Sequence, residues 1–243
     1  MNIFKQILLA FLTVVCLVSC DKEDTDEKSE ILDRVSINAK WVVEGTSEFK
    51  SFEFNESGNY IVIKESTTKS SENNSILFGT YEYDDDKTLI LSDLGTIIIS
   101  DFGTDNITFV VNGTSGDITL NANKQKEMDR SEQTDLFCRT WKMSSLNGVD
   151  VAGTDLEMTV VFSRSGTYFV KYVKPVNGII GGLAKWSWLN TKKTEFVYSW
   201  ELSIGNEDEG TVEIIEVTSD MLKVLEVFED GEEELSILVP VAN

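Results

Sequence analysis

Hydrophobic residues fall into two regimes along this chain. From Ile7 to Val18 they run on almost unbroken, interrupted only by Thr13. Past residue 36 they come in short bursts that alternate with polar residues, as in Thr88 to Leu91, Thr96 to Ser100 and Ile107 to Val111. Successive side chains on a strand point to opposite faces, so this alternation predicts β-strands with one buried side. Turn residues recur roughly every 8 to 12 positions, the spacing of an antiparallel meander that closes into a barrel or a sandwich. No long 3.6-residue period interrupts it. Short helices are expected only before Trp41 and before Trp141.

The strand pattern occurs twice. Ser51 to Val62 and Thr159 to Val170 each read as strand, tight turn, strand, and share Phe-x-x-Ser-Gly-x-Tyr 108 positions apart. Glycine in such a turn supplies the positive φ that joins two antiparallel strands. Gly95-Thr96-Ile97-Ile98-Ile99 and the Asp105 to Phe109 stretch recur 115 positions later as Gly210-Thr211-Val212-Glu213-Ile214 and Asp220 to Val224. Between these anchors Tyr81-x-Tyr83 corresponds to Trp186-x-Trp188. Upstream, Trp41 and Trp141 each open a first strand, with Ile37 and Phe137 four residues before them. Four matched features in one order imply two copies of one β unit, residues 36–123 and 136–243, with a polar linker at 124–135. Offsets that grow from 100 to 115 place insertions in the loops of the second copy, and Pro175 to Gly182 is read as one of them. The length of each copy leaves barrel and sandwich both open.

The early apolar run has a separate meaning. About a dozen residues is too short for a spanning helix, which needs roughly 20. With Lys5 before it, the run fits the apolar region of a secretory signal, residues 1–19. Leu17-Val18-Ser19-Cys20 resembles the lipobox of bacterial lipoproteins, which implies cleavage before Cys20 and acylation of that residue. Residues 20–35 then form an acidic tether, low in hydrophobicity and self-repelling. Within it, Lys22-Glu23-Asp24 resembles the signal that sends lipoproteins of Bacteroidota-type bacteria to the cell surface. The expected location is therefore the outer membrane, lipid-anchored and exposed at the surface, with a periplasm-facing anchor as the alternative.

Composition narrows the chemistry. The chain has 21 basic and 42 acidic residues, for a formal charge of −21. Such a field repels nucleic acid and anionic membranes, so membrane contact is expected through the acyl chains alone and nucleic acid is excluded as a partner. Of three cysteines, Cys16 leaves with the leader, Cys20 is acylated and Cys138 stands alone. No intrachain disulfide is then available, and stability must come from packing. With no histidine, Ser-His-Asp and Cys-His arrangements and the common zinc sites are absent. No cofactor or metal site is expected, and the chain is read as non-enzymatic. Asp84-Asp85-Asp86, Glu207 to Gly210 and Asp230 to Glu234 read as turns with exposed acids.

A tryptophan-bearing first strand, the Phe-x-x-Ser-Gly-x-Tyr hairpin, an aromatic strand and alternating hairpins together resemble the small lipocalin-like domains of Bacteroidota lipoproteins. The resemblance covers about residues 36–122 and 136–242. It implies an all-β fold of two tandem lipocalin-like meander units after a signal peptide and acidic tether, and a ligand-binding task. The ligand-facing candidates are Trp186 and Trp188, which share one strand face, together with Tyr81, Tyr83, Tyr60 and Tyr168. Trp200 lies close by in the sequence. The competing reading of the tryptophan pair is a core or inter-copy contact. The function expected is an extracytoplasmic binding protein for a small hydrophobic or glycan-like ligand. The alternative is an interaction, scaffold or inhibitor lipoprotein of an envelope complex.

Overall fold

The alternating pattern closes on itself twice. The structure, a computed structural model, describes residues 37–65, 75–113, 116–176, 179–202 and 209–241. The leader, Cys20 and the acidic tether lie outside the described residues, as does most of the short helix expected before Trp41. In the first copy, strands β1 (Lys40–Val43), β2 (Phe49–Phe54), β3 (Asn59–Lys64), β4 (Ser75–Tyr83), β5 (Thr88–Leu91), β6 (Gly95–Phe102), β7 (Asn106–Gly113) and β8 (Gly116–Lys124) pair in sequence order. β1 returns to β8 with Trp41 opposite Lys124, which completes an eight-stranded antiparallel barrel.

The second copy repeats the arrangement. Helix α1 (Glu132–Phe137) precedes β9 (Thr140–Leu146), a two-residue β10 (Val149–Asp150), β11 (Met158–Phe162), β12 (Thr167–Val176), β13 (Ile179–Trp188), β14 (Glu195–Leu202), β15 (Glu209–Val217), β16 (Leu222–Val227) and β17 (Glu233–Pro240). β9 pairs with both β11 and β17, and Trp141 lies opposite Pro240. The fold is therefore all-β, two eight-stranded barrels in tandem. Among the described residues no helix is long and apolar enough to cross a membrane.

The duplicated sequence features hold duplicated structural parts. The Trp41 indole donates to the Ile37 carbonyl at 3.0 Å, and the Trp141 indole donates to the Phe137 carbonyl at 2.9 Å. Each tryptophan is fully buried at one barrel end. The hairpin glycines Gly58 and Gly166 have φ of 71° and 80°, the left-handed conformation that makes glycine the residue of choice there. α1 starts at Ser131, whose hydroxyl accepts from the Thr134 amide, and is pinned by the Lys193 ammonium on Ser131 and Thr134. It ends by driving Phe137 into the barrel, where its ring meets Phe162 at 4.3 Å and Trp186 at 4.9 Å.

Register also corrects one reading of the sequence. Pro175 to Gly182 is not extra length. It belongs to the β12–β13 hairpin, apart from residues 177–178, which are not described, and the first copy has three more residues between Tyr60 and its partner Gly79 than the second has between Tyr168 and Ala184. The added residues of the second copy fall between β9 and β11, between β13 and β14 and between β14 and β15.

Both barrels belong to one compact unit. Ile61, Val161, Phe169 and Leu183 form a separate apolar cluster from the outer faces of β3, β11, β12 and β13, with Phe78 of β4 against Phe169 at 4.9 Å. Around it, Lys40 donates to the Thr167 hydroxyl at 3.2 Å, and Thr140 donates to Asn59 at 2.9 Å. The duplication maps Lys40 onto Thr140 and Asn59 onto Thr167, so these two contacts are one contact made twice. That is the signature of a self-complementary two-fold interface. The segment joining the barrels is held as well, with Gln125 on the Ser165 carbonyl and the Met128 amide on the Arg164 carbonyl.

Candidate ligand-binding cavity

The second barrel encloses a cavity of about 360 Å³, within the usual size of small-molecule sites. Strand direction orients it. β11 runs from Met158 to Phe162, β12 from Thr167 to Val176 and β14 from Glu195 to Leu202. Phe162, Tyr168 and Phe196 therefore lie toward the α1 end, and Met158, Tyr172 and Trp200 toward the other. Phe162 and Tyr168 stack at 4.7 Å and only 8° apart to form the floor. Val160, Val170, Val212 and Val224 make the walls, while Tyr172, Tyr198, Trp200, Phe228, Glu226 and Glu234 ring the mouth.

Matched register explains why this barrel is hollow. Trp41 pairs with Phe52 in the first barrel, and Trp141 pairs with Val160 in the second. Phe109 lies opposite Leu120, whereas Val224 lies opposite Ser236. Phe52 and Phe109 meet at 5.0 Å and fill the first barrel, and at the same two places the second has valines. One step further along the same strands, Val111 opposite Ile118 becomes Glu226 opposite Glu234. At these places the second barrel has space where the first has two rings and two carboxylates where it has an aliphatic pair, while β14 brings in Phe196 and Tyr198 where β5 has Leu89 and Leu91.

The mouth is organised by hydrogen bonding and by a glycine. The Tyr198 hydroxyl donates to Glu226 Oε1 at 2.6 Å. A Cβ on Gly210 would lie 2.5 Å from the Tyr198 ring and 2.7 Å from Glu226 Oε1, so only glycine leaves the pair room to form. The Tyr168 hydroxyl makes no hydrogen bond among the described residues. Burial, reinforced by the negative charge of Glu226, pushes its phenol well above the ordinary tyrosine range. The cavity is therefore apolar at its base and negative at its rim.

The residues proposed from the sequence divide between floor, core and cavity. Tyr168 lines the cavity, as does Trp200. Trp186 and Trp188 point into the same barrel but at its closed end, 5.0 Å apart and both against Phe137; the Trp186 indole donates to the Ser163 carbonyl at 3.0 Å. Tyr81 and Tyr83 hold the matching places in the first barrel and pack on its core, where Tyr81 donates to Asn38 at 2.8 Å. Tyr60 is fully buried there, its hydroxyl accepting from the Asp93 amide at 3.2 Å.

Two acids escaped the sequence reading. Glu234, taken with Asp230 to Glu233 as a solvated turn, lies inside the barrel because β17 begins at Glu233 and its alternation turns Glu234, Ser236 and Leu238 inward. Glu226 was not singled out. The signal was present: extending the 115-residue match by two positions sets Glu226 on Val111, a core residue of the first copy. Glu207 and Asp208 lie outside the described residues. Asp85 accepts from the Lys87 amide at 2.8 Å and Thr88 hydroxyl at 3.0 Å, and these bonds hold its carboxyl below the usual range. Burial pushes the Cys138 thiol up, away from the thiolate a nucleophile needs.

No family model matches this chain, and no curated protein matches it. Among solved structures, it is similar to a protein of unknown function of the DUF3598 family from Nostoc punctiforme. The identity is 11%, the match covers 85% of this chain and 97% of that one, and the TM-score is 0.24. A likeness that distant carries no argument.

Proposed function

We propose that this protein is a lipid-anchored, non-enzymatic binding protein of the bacterial envelope, resembling lipocalin-like lipoproteins, whose second barrel holds a small hydrophobic ligand. The observation that carries the reading is the cavity itself, open where Phe52 and Phe109 close the first barrel. Core positions do not drift from phenylalanine to valine in pairs without cost, since an unfilled interior loses about 24 cal/mol per Å³. Retaining a hollow barrel beside a filled copy is economical only if something occupies it. The apolar floor favours a hydrophobic ligand over a glycan. The lipobox-like Leu17-Val18-Ser19-Cys20 and the acidic stretch after it support a location at the outer membrane, facing the cell surface.

The protein purified from its native membrane should release a small molecule on organic extraction, in roughly stoichiometric amount by mass spectrometry. A Val160→Phe, Val224→Phe variant should release none. Equal recovery from both, or nothing from the native protein, would remove the basis of the reading. Cys20→Ser should shift the protein out of the membrane fraction, and protease added to intact cells should digest the native form.

A further inference from the structure

The residues around the mouth of the cavity go further than an apolar pocket requires. We infer that the second barrel takes an organic ammonium ion, an amine or quaternary ammonium head carried on an apolar body. This deepens the proposed ligand-binding reading and rests on it.

Three observations converge. First, Glu226 and Glu234 are directly opposite one another on β16 and β17, and both line the cavity. Like charges so placed repel. The described residues lining the cavity include no lysine or arginine. Second, four aromatic rings share that mouth: Tyr172, Tyr198, Trp200 and Phe228. Ring faces attract cations, and more strongly when the site is shielded from water. Third, the pair is built rather than incidental. Tyr198 holds Glu226 by a 2.6 Å hydrogen bond, and Gly210 leaves the space for it.

Chemistry then selects among occupants. A fatty acid would bring a third carboxylate beside two. A neutral hydrocarbon or alcohol would cover the carboxylates and strip their water without a compensating charge. An ammonium head offsets the repulsion, stacks against the rings and lets its apolar body reach the Phe162–Tyr168 floor. The Tyr168 hydroxyl, without a hydrogen bond among the described residues, offers an acceptor at depth for a polar group on that body. The net charge of −21 draws cations toward the protein from a distance.

The test uses the full chain in lipid nanodiscs and three short probes of equal length: hexyltrimethylammonium, hexanol and hexanoate. Calorimetry should give hexyltrimethylammonium at least about tenfold tighter binding than hexanol, with hexanoate weakest. Glu226→Gln with Glu234→Gln should weaken the ammonium about tenfold and leave hexanol within about twofold. Hexanol or hexanoate binding as tightly as the ammonium would overturn the inference and leave the cavity reading standing. So would ammonium binding undiminished in the double glutamine variant. Binding of none of the three by the unmodified protein, or equal binding by Val160→Phe, Val224→Phe, would instead sink the cavity reading and the inference with it. The ranking of probes on the unmodified chain decides the matter even where a variant folds poorly.

Discussion

In the first barrel Phe52 and Phe109 meet ring to ring at 5.0 Å; in the second, Val160 and Val224 hold those places and the space between them opens into the cavity. Everything that closes a barrel is shared: the eight-strand pairing, the first-strand tryptophan bonded back four residues, the Ser-Gly hairpin. The difference that opens space lies on the inner face away from that closed end. The lesson is that closure and filling are separable. Backbone pairing and the plug of Ile37 or Phe137 specify the barrel, and the central side chains then decide whether it is a packed body or a container. Two phenylalanines and an aliphatic pair make the first; two valines and a carboxylate pair make the second.

The sharpest way to break this comparison is to exchange the fillings. Phe52→Val with Phe109→Val hollows the first barrel, removing buried ring area with no strand able to collapse inward. A loss of roughly 3–4 kcal/mol is expected for the pair in urea or guanidinium unfolding. The reverse exchange, Val160→Phe with Val224→Phe, adds rings where room exists and should change stability by no more than about 1 kcal/mol, while abolishing ligand binding. If both exchanges cost the same, the second barrel is as tightly packed as the first and the contrast is wrong.

How much of this was legible in the sequence follows the same division. Alternation gave the strands, and the paired Trp, Ser-Gly-x-Tyr and Gly-Thr motifs gave the duplication, because the features that build hairpins and start strands are local and repeat in order. Closure itself was not legible. Pairing β1 with β8 and β9 with β17 is a contact between the ends of each copy, and no local pattern reports it. The cavity was half legible: Tyr168 was named for its motif, but Trp186 and Trp188, named because they share one strand face, pack on Phe137, the core contact that was the competing reading. Glu234 was misjudged because acids beside Asp230-Gly231 look like any hairpin tip. Only the register of the other copy shows that a partly buried aliphatic residue, Ile118, holds the matching place.

A second contrast lies at the interface, where one contact is made twice with different chemistry. Thr167 donates to Glu53 Oε2 at 2.6 Å while accepting from Lys40; Thr140 donates to Asn59 and accepts from Asn55 at 3.3 Å. Glu53 is buried, and its other oxygen has no partner among the described residues. Thr167→Val removes the one donor this carboxylate has there, at an expected cost of about 2–3 kcal/mol. Thr140→Val breaks bonds between neutral groups and should cost about 1 kcal/mol. Thermal unfolding of the two variants side by side measures the difference. Equal losses would mean that the charges on Lys40 and Glu53 add nothing to the joint.

The smallest effects separate two glycines that occupy the same place in the two copies. Gly95 pairs with Leu91, and Gly210 pairs with Tyr198. Gly95 has φ of 93° with nothing near its missing side chain, whereas Gly210 is crowded by Tyr198 and Glu226. Gly95→Ala should therefore cost about 1 kcal/mol through backbone strain alone and leave ligand binding untouched. Gly210→Ala meets no such strain, and its methyl can be relieved by swinging Tyr198 and Glu226 toward the open mouth. Its stability loss should be no larger, yet the Tyr198–Glu226 hydrogen bond should break and hexyltrimethylammonium should bind several-fold more weakly. One glycine serves the turn of a chain and the other serves the contents of a cavity. Binding that survives Gly210→Ala unchanged would mean the carboxylate does not need to be held.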